Sequence, residues 1–285
     1  MNRTCMYVAL VLAVFLNALP CAAQQPDEER RNGEFLPAGR LFEPLIADPR
    51  WPHFSLAYHR YLDDDRLENV GATSFGESLG IYRSRAPFGG EWQVGIQAAV
   101  FAIFDLDAES KDLINADYWV GFPLSYRAGP FSALLRIFHQ SSHLGDEFLL
   151  RDRVDRVNLS YEAADLKLSL APFSWVRLYG GGGYLLSTDP DDLEPWSTQA
   201  GLELTSPRTF ARGLLRPVGA VDAQFWEETD WNTDLSLRAG LQLESEATSD
   251  HMVQLLLEYY NGHSPNGQFY ERNIEFLGLG LHFYF

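Results

Sequence analysis

One stretch of this sequence concentrates side chains able to do chemistry: Arg136-Ile-Phe-His-Gln-Ser-Ser-His-Leu-Gly-Asp-Glu147. Its alternation puts Ala133, Leu135 and Ile137 on one face and Leu134, Arg136, Phe138 and Gln140 on the other. His139 and Ser141 continue the first row. Residues two apart on a strand are neighbours on one face. A serine becomes a nucleophile when a neighbouring base takes its proton, and the base needs a third group to orient it. The next segment carries Asp155, Val157, Leu159 and Tyr161 in one alternating row. Ser141 is therefore the expected nucleophile, His139 the base and Asp155 the orienting group. Facing the apolar side of a wall, the three suit attack on a lipid acyl ester. The plainer reading is that polar residues at a strand end sit at headgroup level, and His-x-Ser also arises by chance.

Past Ser141 come Ser142, His143, Asp146 and Glu147. They suit loop capping, or a metal site in which Asp146 and Glu147 hold a divalent cation between lipopolysaccharide phosphates. Carboxylates favour hard cations such as calcium. Gly180 to Gly183 is a glycine run inside a strand pattern, which suits close backbone approach better than phosphate binding. Asp63-Asp-Asp65 and Asp189 to Asp192 read as solvated loop tips. Arg136, Arg177, Arg216, Arg238, Asp222, Glu244 and Glu258 fall on inward rows. They either line a pore or fill a narrow barrel with ion pairs.

These residues need long strands to position them, and the sequence supplies the pattern. Tyr118, Val120, Phe122, Leu124 and Tyr126 form one face of a run whose other face is Asp117, Trp119, Gly121, Pro123 and Ser125. Leu235 to Leu243 alternate in the same way. The final run places Leu277, Leu279, Leu281, Phe283 and Phe285 on one face and Gly278, Gly280, His282 and Tyr284 on the other. Period-two alternation over about ten residues is a strand signal at bilayer-crossing length. A soluble β-sandwich is the competing reading, but its strands are usually about 5–6 residues long.

Short turns near Ala86–Gly90, Ala128–Pro130 and Pro172–Ser174 alternate with longer polar loops. Both chain ends then share one side, so the strand number is even. Val154 to Ala171 breaks phase: Val157, Leu159 and Tyr161 are odd, whereas Leu166, Leu168 and Leu170 are even. A β-bulge near Ala163–Ala164 makes this one strand and brings the count to about 12. The expectation is an all-β, transmembrane antiparallel β-barrel over residues 52–285. Residues 24–51, with Pro37, Pro44 and Pro49, read as a periplasmic N-terminal segment of little regular structure.

The start of the chain indicates the compartment. Arg3 precedes the uncharged apolar run Tyr7–Leu19, followed by Cys21, Ala22 and Ala23. That is the layout of a signal peptide, residues 1–23, with cleavage after Ala23. Both cysteines, Cys5 and Cys21, leave with it. Disulfides and cysteine-bound metals are thereby excluded from the mature chain. With 39 acidic against 22 basic residues and a net charge of −17 over 285 residues, nucleic acid is not an expected partner. The expected location is the bacterial outer membrane, with its lipids, lipopolysaccharide and the barrel-assembly machinery as partners.

Phe35-Leu-Pro-Ala-Gly-Arg-Leu-Phe-Glu-Pro-Leu-Ile-Ala-Asp-Pro-Arg-Trp51 resembles the start of the domain-of-unknown-function 1207 family of bacterial envelope proteins. His139 to Glu147, Tyr260 to Tyr270 and Gly278 to Phe285 share that resemblance. It spans nearly all of the mature chain and implies a barrel without an established activity. A second resemblance is local. His139, Ser141 and Asp155 are similar to the lipid-facing His-x-Ser pair and polar third residue of outer-membrane phospholipase A and lipid A 3-O-deacylase. Those enzymes usually follow the serine with Asn, whereas this chain has Ser142. Two functional readings therefore stand: a barrel that hydrolyses lipid acyl esters, and a non-enzymatic channel or structural barrel.

Overall fold

A computed structural model describes residues 33–62, 64, 66–152, 157–244 and 251–285. The expected signal peptide lies outside the described residues. The main body runs from Glu34 to Phe285.

After a three-residue strand β1 (Gly33–Phe35) come twelve strands. They are β2 (Phe54–Tyr61), β3 (Asn69–Arg85), β4 (Glu91–Asp105), β5 (Leu113–Ala128), β6 (Phe131–Leu144) and β7 (Ser160–Phe173). β8 (Val176–Asp189), β9 (Trp196–Thr205), β10 (Leu215–Trp226), β11 (Thr233–Leu243), β12 (Met252–His263) and β13 (Asn273–Tyr284) complete the set. Each pairs antiparallel with its neighbours in sequence, and β13 pairs with β2, so Phe276 lies opposite Tyr61 and Phe283 opposite Phe54. The result is a closed 12-stranded antiparallel β-barrel, which leaves no free edge.

The two faces are inverted relative to a soluble core. Outward Leu257, Leu279 and Phe122 are exposed, whereas inward Asn115, Asp117, Asp222 and Gln254 are fully buried. An apolar outer band around a polar lumen is the arrangement of an outer-membrane-type barrel and not of a sandwich. No helix among the described residues is long and apolar enough to cross a membrane.

The lumen is filled. Residues 41–51, expected as part of a lead-in ahead of the barrel, are packed against inward wall residues. Leu45 and Ala47 are wholly buried, and Phe42, Leu45 and Trp51 cluster with Leu134, Tyr179 and Tyr284. The segment has no helix or strand, so the wall must satisfy its backbone groups. Glu203 accepts from the Ile46 amide at 2.7 Å, Arg177 donates to the Pro44 carbonyl at 2.8 Å, and Arg238 donates to the Ile46 carbonyl at 2.7 Å. Several inward charges thus hold this strap in place.

Long loops lie at the end away from Phe54 and Phe283. A short helix, α1 (Asp146–Asp152), follows β6 and buries Phe148 against Ile114, Tyr260 and Ile274. Its Arg151 donates to Asp112 and Asp105. The Tyr260–Tyr270 motif turns back into the mouth, where Gln268 donates to the carbonyls of Ser142 and Val157. Gly267 permits this approach: a Cβ there would lie 2.8 Å from the Cβ of Ser142.

The expected phase shift within β7 is corrected. β6 and β7 pair without interruption from Phe131 opposite Leu170 to Ser141 opposite Ser160. Even positions of β7 therefore face outward from Ser160 to Leu170, and Tyr161 lines the interior. The nearby irregularity is one of two between β7 and β8: Glu162 faces Ser187 and Ala163 faces Leu185. The extra residue, Leu186, is on β8.

Candidate active site

The site is built on the outer faces of β5, β6 and β7, near the long-loop end. His139 and Ser141 share the outward row of β6, as their spacing predicts. Across the strand pair, His139 lies opposite Glu162 on β7 and Val120 on β5, and Ser141 lies opposite Ser160 and Tyr118. Directly opposed side chains on one face have Cβ atoms about 4.5–5.5 Å apart. His139 Nδ1 is 3.1 Å from Glu162 Oε1. The two side chains are 40% and 30% exposed, so the pair lies on the outer surface.

Glu162 is the site residue that sequence reasoning missed. The odd-numbered row expected on the following strand pointed to Asp155, which lies outside the described residues. The uninterrupted β6–β7 ladder places even residues outward instead. The signal was present in Leu166, Leu168 and Leu170, whose phase extends back to Ala164 and Glu162 without a bulge.

A carboxylate on Nδ1 leaves Nε2 free for a hydroxyl, the division of roles that a serine–histidine–carboxylate triad uses. Among the described residues Ser141 Oγ makes no hydrogen bond. Ser142, by contrast, faces inward and donates to Asp117, which also accepts from Arg50 at 2.7 Å and from the Gly267 amide at 3.1 Å. The two adjacent serines have opposite environments: Ser142 is locked into the lumenal network and Ser141 is open on the surface. Outward Tyr118 lies opposite Ser141, its ring edge-on to His143 at 5.6 Å.

Asp146 and Glu147 occupy the first turn of α1, and both are exposed. Neighbouring helical positions point their side chains apart. Among the described residues no group of three or more His, Cys, Asp or Glu side chains is arranged to hold a metal ion. The pair alone does not make the six- to eight-oxygen shell that calcium takes. Gly180–Gly183 lies within β8, where a Cβ on Gly181 would come 2.1 Å from the Leu166 carbonyl oxygen. That matches the expectation of close backbone approach.

Solved structures similar to this chain include outer membrane phospholipases. Outer membrane phospholipase A from Escherichia coli aligns at 13% identity over 82% of this chain and 92% of its own, with a TM-score of 0.54. The Salmonella typhi outer membrane phospholipase dimer, described with bound calcium, aligns at 13% identity over 85% and 94%, with a TM-score of 0.58. At that identity the likeness concerns the fold. No curated protein matches. The profile of one family, described as "Protein of unknown function (DUF1207)", matches residues 26–285.

Proposed function

The chain belongs to this family of unknown function, DUF1207, and from that premise we propose that it is a bacterial outer-membrane barrel that hydrolyses acyl esters of membrane lipids on its outer wall. The observation that carries the reading is the His139–Glu162 contact of 3.1 Å on the outward face, one step along the same row from Ser141. Ser141 Oγ adds to the ester carbonyl as His139 Nε2 takes its proton. The tetrahedral intermediate then expels the alcohol, which takes that proton back and leaves an acyl-Ser141. Water, deprotonated by His139, attacks the acyl-enzyme, releasing the fatty acid and restoring the serine. Glu162 holds Nδ1–H and stabilises the imidazolium formed at each step. No step passes through a metal.

The direction of the wall supports the substrate class. A site that faces sideways among Tyr118, Val120 and Ile137 meets lipid and not lumenal solute. Phospholipid and lipopolysaccharide acyl chains are the partners this implies. The reading also includes removal of residues 1–23 as a signal peptide, and recognition of β13 and the Phe285 that follows it by the barrel-assembly machinery. The filled lumen argues against an open channel.

The test is turnover of phospholipid and lipid A by purified protein in mixed micelles, with Ser141→Ala beside it. Loss of a triad nucleophile lowers kcat by about 10⁴-fold or more. Equal turnover by the two proteins would falsify the assignment.

A further inference from the structure

The outward row of β6 carries a second histidine. His143 stands two residues beyond Ser141, as His139 stands two residues before it. Opposite them on β5 are Ala116, Tyr118 and Val120, facing His143, Ser141 and His139 in that order. The two histidines differ in what holds them. His139 has Glu162 on Nδ1 at 3.1 Å. His143 is exposed and makes no hydrogen bond and no ion pair among the described residues; its ring meets that of Tyr118 edge-on at 5.6 Å. The base of a serine hydrolase needs a group that fixes its tautomer and steadies its charge. His139 has that group and His143 does not, which leaves His143 an N–H free to donate elsewhere.

The order of residues along β6 gives that donor its level. The strand runs from the short turn before Phe131 to the long-loop end at α1. Its outward row is therefore sorted by depth: Leu135 and Ile137, then His139 and Ser141, then His143 nearest the loops. Leu135 and Ile137 are exposed apolar side chains, a surface that acyl chains cover. A lipid with its chains on these two residues and its ester at Ser141 carries its polar end to His143. Two residues of strand advance about 6.4–6.8 Å, a span that the glycerol backbone bridges between an ester and a phosphate. Tyrosine rings favour this interfacial level, and exposed Tyr118 lies there, opposite Ser141 and against His143. A phosphate oxygen is an anionic acceptor, and hydrogen bonds to ionised acceptors are the strong ones.

We propose that His143 binds the phosphate next to the scissile ester and so directs hydrolysis to phosphorylated lipids, an inference that rests on the proposed chemistry at Ser141. Glycerophospholipids and lipid A both carry such a phosphate, and neutral glycerides do not. His143 takes no proton from Ser141. It is a specificity residue, and Tyr118 positions its ring.

The experiment measures turnover by the purified full-length barrel in mixed micelles on two pairs of substrates. One pair is phosphatidylethanolamine and the diacylglycerol of the same acyl chains; the other is lipid A and its dephosphorylated form. Wild type should prefer the phosphorylated member, and the pair in which it does so identifies the source of the phosphate. His143→Ala should lower that preference about 10-fold, through KM and not kcat. His143→Arg, which offers donors to phosphate and cannot act as a base, should restore it. His143 is exposed near the end of β6, so neither change disturbs the packed lumen. Three results would overturn this inference and leave the hydrolase reading standing: no preference by wild type in either pair, an unchanged preference in His143→Ala, or a collapse of kcat in both variants. Wild type inactive on all of these lipids would overturn both.

Discussion

At His139 one ring nitrogen is held by Glu162, and the other is what remains for chemistry. This makes Glu162 separable from Ser141 in experiment. Glu162→Gln keeps the shape and removes the charge that stabilises the imidazolium. Turnover should fall by about 100-fold or more while substrate binding is retained. Asp155→Asn should leave turnover within about 2-fold. The reverse pattern in kcat, with Asp155 essential and Glu162 neutral, would return the orienting role to the residue first expected from sequence. Ser142→Ala is a useful contrast. It strips a hydroxyl from the buried Asp117 network and should cost about 1–3 kcal/mol of stability, read by denaturant unfolding in micelles, with turnover per folded molecule preserved.

At the scale of elements, the lumenal strap and the wall depend on each other. Leu45 is fully buried and packs with Trp51, Leu134 and Tyr179. Leu45→Ala should destabilise by about 2–5 kcal/mol, measured as a shift in the unfolding midpoint. Little change would mean that the strap leaves the lumen in solution. Arg238 is a second probe. It donates to the Ile46 carbonyl and pairs with Glu258 at 2.9 Å, and Glu258 also contacts His59 and His282. Arg238→Ala leaves a buried carboxylate short of its main countercharge, a change that costs about 3–5 kcal/mol. The arrangement also explains sequence features that period-two reasoning left as alternatives. Inward arginines and carboxylates belong to a packed interior, and the Tyr260–Tyr270 motif is the loop that closes one end of it.

For the whole molecule, a barrel filled in this way should not conduct. Reconstituted into a planar bilayer, the intact protein is expected to show no steady conductance, and a stable open pore would contradict the packed lumen. Much of this architecture was legible in the sequence. Alternation of side chains is a property of each strand by itself, so the faces of β5, β6 and β13 and the even number of strands followed from residue type and turn spacing. The outward placement of His139 and Ser141 followed for the same reason. Other features depend on which segments meet, and no local pattern carries that information. The phase break between Tyr161 and Leu166 is compatible with a bulge in β7 or with an interior Tyr161. Only the ladder to β6 decides, because hydrogen bonding across the pair ties each residue to a partner. That ladder brings Glu162 to His139. The fate of residues 41–51 was hidden likewise: a proline-rich segment without period has no face to read, and its burial rests on Glu203, Arg177 and Arg238, more than a hundred residues away. Sequence determined the wall and the side of it on which Ser141 lies. Tertiary structure decided what fills the wall and that Glu162 stands beside His139.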